Sequence, residues 1–476
     1  MSENGTELAA VHPSVDSSSS SSNAGQTDGI ADARILQLSE IIVAEMRAAP
    51  VLPPPAPQIY RVPAVLLAAD KGAYQPTFLP LGPYHSGDSD SATEDMRTWH
   101  ARKPQNMAWA MEKAGGDGPP VVEYMKAIAS IESKARSCYD SDVTLGWDAF
   151  CRMLLLDCFQ LITVLDFLGH NDDEPPEEET GPGDDDDGKT PRTGVVTSIG
   201  HDLMMLENQI PFFVVQRMYV LLHGEAGSGA IAKLAWETIN NIMGGLRPSS
   251  SPPALEIQHL VHLCHVYLKP SNLEESLGAC GDYGGRFRRA TEYYEAGVKF
   301  RRPLPKEEVP MLDVSFSNRV LRMAHQRIDD RTNYILRNVL VFEQRYIRAA
   351  TDRHTGYVTA YVLFMSQLLA SPEDVALLSR RGVMEHYLGN DAEVCALFRG
   401  LAEGLVFDPS SNHYLNAVGV KLEAYCRSRI HRWGAWVLRH RLGNPWLAVA
   451  WIFGAMAVLG TIIQTVISVL QYTHKS

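Results

Sequence analysis

The chain has 476 residues, is 45% hydrophobic and carries a formal charge of -13, enough apolar material for one large core or two modest ones. Ten carboxylates fall within the sixteen residues Asp172 to Asp187, broken by Pro175, Pro176, Gly181 and Pro182, and without them the charge is only about -3. No basic patch with interleaved aromatics offsets this, which argues against nucleic acid as a partner.

In chain order, residues 1–33 read as a disordered Ser-rich leader with a serine run from Ser17 to Ser22 and no signal-peptide pattern. Residues 34–57 read as a helix and a Pro-rich connector. The body follows in two parts, 58–168 and 197–426, separated by an acidic disordered loop over 169–196. Pro and Gly between Ile59 and His85 predict surface loops. Helical periodicity marks Leu145 to Leu168, the region around Leu203 to Leu222, Leu255 to Leu268, Thr332 to Ile347, Tyr357 to Leu369 and Pro372 to Leu388. The last has a strong start: Ser371 as cap, Pro372 first in the helix and Asp374 completing a Ser-x-x-Asp box. Alternation at Leu312, Val314 and Phe316, a turn at Ser317-Asn318-Arg319, and a return over Val320 to Met323 predict a small hairpin. The fold class is mainly α: a helical globular body with a small β-hairpin element and one C-terminal transmembrane helix.

The end of the chain is its most informative part. A basic juxtamembrane segment, 427–445, precedes Trp446 to Leu470, a run of 25 residues without a charge. As a helix it would be about 37 Å long, enough to cross a hydrocarbon core of about 30 Å. Arg427, Arg429, Arg432, Arg439 and Arg441 crowd the body side, whereas the tail 471–476 has only Lys475. The positive-inside rule then places the body in the cytosol of a single-pass, tail-anchored protein, the plasma membrane being the expected membrane. Seven scattered cysteines without a Cys-x-x-Cys pair read as reduced thiols. Ala450, Gly454, Ala457 and Thr461 recur at helical spacing, a small-residue stripe through which two copies of the span would associate. The expected partners are therefore membrane lipids, a protein not identifiable from sequence, and a second copy of the span, with no nucleic acid.

The body yields no catalytic, cofactor-binding or metal-binding assignment. Gly183 to Thr190 fits the phosphate-loop pattern G-x-x-x-x-G-K-T, but four aspartates would face the phosphates, no apolar strand precedes, and Pro191 and Gly194 point away from a following helix. His259, His262 and His265 spread over about 120° of a helix surface, poorly convergent for three metal ligands, and read as core or interfacial residues. Cys151 and Cys158 share a helix face near Asp157 with no histidine close in sequence, so packing is the expected role. Glu207, Asn208 and Gln209 sit in an apolar run closed by Pro211. The simplest physics is a helix end whose backbone groups these side chains satisfy, with Pro211 opening the next helix; a catalytic Glu207 is the lesser alternative.

Leu206-Glu207-Asn208-Gln209-Ile210-Pro211 resembles the hallmark of the plant-specific domain of unknown function 247 family. Ile59-Tyr60-Arg61-Val62-Pro63 and Leu81-Gly82-Pro83-Tyr84-His85 resemble its opening. Glu295 to Phe300, Leu312 to Phe316 and Arg337 to Gln344 resemble its middle, and Tyr425-Cys426-Arg427 and Asn444-Pro445-Trp446 its end. In Leu156-Asp157-Cys158-Phe159 the glycine of many relatives is absent. The resemblance implies a helical, single-span plant membrane protein without an established active site. Some grass relatives act in pollen-side self-incompatibility.

The expected function is a non-catalytic protein-interaction, signalling or recognition component; a hydrolase and a pollen-side recognition component are the alternatives. Because the acidic run cannot bury enough apolar surface to offset its ordering entropy, deleting Asp172 to Thr190 should leave the melting temperature within about a degree, measured by differential scanning fluorimetry.

Overall fold

Apolar residues occur on every side of the helix predicted after Leu145, so it has no face to give to water and must be enclosed. The computed structural model describes residues 37–42, 58–85, 92–115, 119–140, 142–169, 191–224, 227–244, 256–271, 273, 285–303, 309–349, 356–407, 413–427, 453–454 and 456–467. The chain divides into two units, Met1–Ala56 and Pro57–Ser476. Of the first, residues 37–42 form a short exposed helix.

In the second unit, α1 (Ala64–Ala69), α2 (Glu94–Lys113) and α3 (Val121–Arg136) precede the enclosed helix α4 (Trp147–Gly169). Then come α5 (Pro191–Leu203), α6 (Phe212–His223), α7 (Gly227–Ile242) and α8 (Leu260–Tyr267). Helix α4 is packed by α2, α3, α6 and α7, and its Phe150, Leu154, Phe159 and Leu165 are fully buried. Gly169 lies close under α7, where a Cβ would come within 2.9 Å of Leu234.

The remaining elements are α9 (Ala290–Glu295), α10 (Asp330–Ala349), α11 (Tyr357–Leu368), α12 (Pro372–Arg380), α13 (Asp391–Ala402) and α14 (Asn416–Arg427). Helix α10 bridges the two halves of the core, touching α5 and α8 on one side and α11 and α13 on the other. The expected hairpin is β2 (Val314–Ser317) with β3 (Val320–Met323), Val314 opposite Met323. Asn318 and Arg319 both have positive φ (49° and 69°), as the two-residue turn that matches strand twist requires. The structure adds β1 (Lys299–Arg301), parallel to β3, and a separate parallel pair, β4 (Gln326–Ile328) with β5 (Met384–His386).

Three details differ from expectation. A helix does open at Pro191, inside the segment read as loop to residue 196; proline suits a first helical turn because its missing N–H is unneeded there. The segment from Ile59 to His85 is not a surface wrap: Ile59, Leu79 and Leu81 are fully buried or nearly so. The helix expected to reach Leu388 ends at Arg380. Gly382 has φ 68°, its N–H donates to Ser379 O (2.9 Å), and Val383 N–H donates to Leu378 O (3.1 Å). That paired closure ends a helix and frees residues 384–386 to pair with β4. The start of α12 matches its reading, since Asp374 accepts the Ser371 N–H at 3.0 Å.

Among the described residues no helix is long and apolar enough to cross a membrane. Of the predicted span, residues 453–454 and 456–467 are helical; the others, the leader, the acidic run and the basic segment beyond Arg427 lie outside the described residues.

A Cβ on Gly382 would meet nothing within 4 Å. Gly382→Ala should therefore cost only the left-handed backbone strain, about 1 kcal/mol, read as a small fall in melting temperature with unchanged expression.

Candidate functional site

Buried backbone without a ladder partner must find hydrogen bonds elsewhere. The stretch from Thr77 to Gly82 enters the core as irregular chain, and the side chains that receive it come from α4, α5 and the turn after α5. Asp202 accepts three consecutive amides, from Thr77 (3.0 Å), Phe78 (2.6 Å) and Leu79 (2.7 Å). Asn208 Oδ1 accepts the Leu81 amide (2.7 Å), while its Nδ2 donates to Leu79 O (2.8 Å) and Asp202 O (2.9 Å). Asp157 Oδ2 takes the Gly82 amide (2.8 Å) and its Oδ1 takes Lys103 Nζ. Gly82 has φ 71°, and a Cβ there would stand 2.7 Å from Gln209 O. Only glycine satisfies both conditions.

The neighbouring residues continue the knot. Glu207 Oε1 accepts the Val62 amide (2.7 Å) and Oε2 accepts Arg61 Nη1 (3.0 Å). Gln209 Nε2 donates to Leu203 O and Met205 O (both 2.8 Å), closing the end of α5, and its Oε1 accepts the Leu260 amide (3.0 Å) at the start of α8. From α10, Asn338 Oδ1 accepts the Leu206 amide (2.9 Å) and Nδ2 donates to Ala73 O (2.7 Å). Apart from Arg61, which is half-exposed, all of these side chains are buried. Pro211 stands one residue ahead of α6. Where the knot meets the surface, Arg61 lies over the Tyr84 ring (4.3 Å) and Arg345 over Tyr60 (4.2 Å), with Asp142 and Asp140 as their carboxylate partners.

The chemistry this permits is structural. Glu207 is committed to a backbone amide and a guanidinium, and His85 Nε2 is 3.6 Å away, beyond a good hydrogen bond. A second constellation has triad-like connectivity: Glu343 Oε1 to His265 Nε2 (3.1 Å), with His265 Nδ1 3.0 Å from the Tyr357 hydroxyl. It is sealed in the core, and burial pushes the Tyr357 phenol far up. Glu343 also accepts the amides of Val358 (2.9 Å) and Thr359 (2.6 Å), capping α11 from a neighbouring helix. His259, His262 and His265 each pack against Phe342, with ring centroids 5.2 to 5.6 Å away. Among the described residues no group of three His, Cys, Asp or Glu is placed to hold a metal ion. Cys151 and Cys158 are buried, like the other described cysteines. Burial raises both thiols, Cys158 far, which opposes formation of the nucleophilic thiolate.

The sequence reading singled out Glu207, Asn208 and Gln209 as partners for backbone groups but gave no such role to Asp157, Asp202, Asn338 and Lys103, which complete the knot. A lone carboxylate inside Leu154-Leu155-Leu156-Asp157-Cys158-Phe159 was the available signal. Of the small-residue stripe, Gly454, Ala457 and Thr461 lie in the described helix and Ala450 outside it.

These features define a mainly α-helical body with small sheets, organised by buried side-chain-to-backbone bonds. The segments joined in the knot are those whose motifs resemble one family, and the chain belongs to it: DUF247, described as plant protein of unknown function, matched over residues 59–460. A UPF0481 protein of Arabidopsis thaliana is 25% identical over 442 residues, covering 87% of each chain. No solved structure matches the chain.

Two outcomes follow from the knot and its surroundings. Asn208→Leu should strand the Leu81 amide and cost on the order of 1–3 kcal/mol, and Gly82→Ala should cost more than Gly382→Ala because it adds a clash to the strain; both are read as loss of folded yield and melting temperature. The second outcome concerns pH. Burial lowers His85 and His413 to about 4 and His259 and His262 to about 3. Unfolded histidines titrate near 6.5, so below that pH the unfolded chain holds more protons. Stability should be full above pH 6.5 and fall as the pH drops towards 4, each histidine adding up to about 1.4 kcal/mol per pH unit. His413→Leu should flatten that slope by one proton in denaturation curves run from pH 7.5 to 4.5.

Proposed function

We propose that this protein is a membrane-anchored, non-catalytic helical module that works through protein contacts, its body on the cytosolic side. The observation that carries the reading is the helix at 456–467. It carries no charge, and its large apolar side chains are exposed, from Met456 at 64% to Ile467 at 49%. Of its polar residues Thr461, Gln464 and Thr465, the two threonines turn their hydroxyls onto the helix's own carbonyls, Ala457 O (2.9 Å) and Thr461 O (2.7 Å). A helix that exposes so many large apolar side chains suits a non-aqueous surrounding, and the uncharged sequence continues on both sides to 25 residues, beyond the roughly 20 that a bilayer crossing requires. The arginines between Arg427 and Arg441 favour the cytosolic side for the body. Lipid is then the first partner, and the open face at Gly454, where a Cβ meets nothing within 4 Å, suits association of two spans.

The polar residues of the family's hallmark support a non-catalytic role, because each is spent on backbone groups of another segment. The part-exposed face formed by Arg61, Tyr84 and Arg345, the last lying over the buried Tyr60 ring, offers a protein partner cation and ring surface on a rigid support.

In microsomes from plant cells, the full chain should stay in the pellet after alkaline carbonate, and an N-terminal tag should be digested by protease added outside intact vesicles. Release into the supernatant would refute the anchor. A protected tag would reverse the orientation and favour an outward-facing recognition role.

A further inference from the structure

The body carries a cleft that the knot does not use. Its volume is about 750 Å³, and it lies between the segment leading into α9 and helix α14. Arg286, Arg288, Arg289 and Arg427 line it, against Glu292 and Glu423, a local excess of two positive charges. Glu423 accepts Nε (3.0 Å) and Nη2 (2.8 Å) of Arg288 and Nε (2.9 Å) of Arg427. A guanidinium carries five N–H donors, so one carboxylate does not saturate two of them. The Arg288 bonds hold Glu423 below the usual carboxylate range, and the pair fixes both guanidinium planes at the cleft wall.

A second cleft of about 440 Å³ adjoins the first, sharing Gly285, Arg286 and Phe287 in its wall. Its lining is different: Ala360, Leu363, Phe364, Leu405 and Phe407 are apolar. Apart from the shared Arg286, its polar members are spent or neutral. Gln367 Oε1 accepts the Phe287 amide (2.7 Å), and burial lowers His413 to about 4, so it carries no charge at neutral pH. The two clefts therefore present a cationic chamber opening beside a mostly apolar one, with Arg286 at their shared wall.

We propose that this pair of clefts binds an anionic phospholipid, its phosphate against the arginines and one acyl chain in the apolar arm. Bidentate donors suit phosphate oxygens, and a mostly apolar lining favours hydrocarbon over water. A membrane source follows from chain continuity: Arg427 ends α14, and the sequence reaches Trp446, where the apolar run begins, only 19 residues later. That choice of source rests on the anchored reading, which carbonate extraction tests separately.

The test uses the full chain in phosphatidylcholine nanodiscs and a short-chain phosphatidic acid with a photoreactive diazirine in one acyl chain. Crosslinked peptides are mapped by mass spectrometry. Labelling should fall on the peptides carrying residues 360–367 or 405–407, and excess unlabelled dioctanoyl phosphatidic acid should suppress it at least tenfold more effectively than dioctanoyl phosphatidylcholine or inorganic phosphate. Arg286 and Arg427 are exposed, so the double variant Arg286→Glu, Arg427→Glu should keep its melting temperature and lose at least tenfold in labelling. Leu363→Trp, which fills the apolar arm, should lose it as well. Labels confined to the span, equal competition by the neutral lipid, or undiminished labelling in a folded double variant would each overturn the proposal. A chain released by carbonate that still labels at the cleft would refute the anchor alone.

Discussion

A row of amides that belongs to no helix and no sheet sets the terms for this fold. Leu79, Leu81 and Gly82 lie in the core, where an unpaired N–H costs more than a typical hydrogen bond returns. The chain answers with side chains in place of a strand: Asp202 for three amides, Asn208 for a fourth and Asp157 for a fifth. Two of these acceptors are carboxylates, and a buried carboxylate is itself expensive unless its oxygens are bonded. The amides and the acids thus satisfy each other, and removing either member strands the other.

The same device recurs away from the knot. Glu343 on α10 caps α11, whose own cap position is Gly356 and has no side chain to offer. Asp374 at the start of α12 accepts both the amide and the hydroxyl of Thr291 on α9, each at 2.8 Å. In each case an acid in one element accepts donors from another, which fixes the relative placement of elements more sharply than apolar contact does, because hydrogen bonds are directional. Apolar burial supplies the bulk of the driving force; these carboxylates select the arrangement.

Much of the helical plan was legible. Periodicity located α4, α10 and α11 because their apolar residues repeat at helical spacing, and the Ser371-Pro372-Glu373-Asp374 start is a local signal that needs no tertiary information. The hairpin was legible for the same reason. Helices α2 and α3 were not, since α2 holds Pro104 and a mostly polar sequence. The end of α12 was misplaced because Gly382 alone does not reveal the strand at 384–386, whose partner β4 lies more than fifty residues earlier. In the knot, Glu207, Asn208 and Gln209 stood out as a polar island in an apolar run. Their partners did not, because Leu79 and Gly82 contribute only backbone, and backbone carries no letter in a sequence. Asn338 was hidden inside a helix, where an asparagine ordinarily faces solvent.

The separation of the knot's strands along the chain has a consequence for synthesis. Leu79 and Asn208 are 129 residues apart, and Tyr60 donates to Val341 across 281. At ribosomal rates of roughly 5–20 residues per second, the Gly82 amide waits about 4–15 s for Asp157, 75 residues on, the Leu79 amide about 6–25 s for Asp202, 123 residues on, and Tyr60 about 14–56 s for its carbonyl. During that interval an apolar segment with unclaimed amides is outside any folded core, a natural client for chaperones. The N-terminal third of the molecule is thus made first and completed late, and its fate in the cell is decided while the remainder is still being translated.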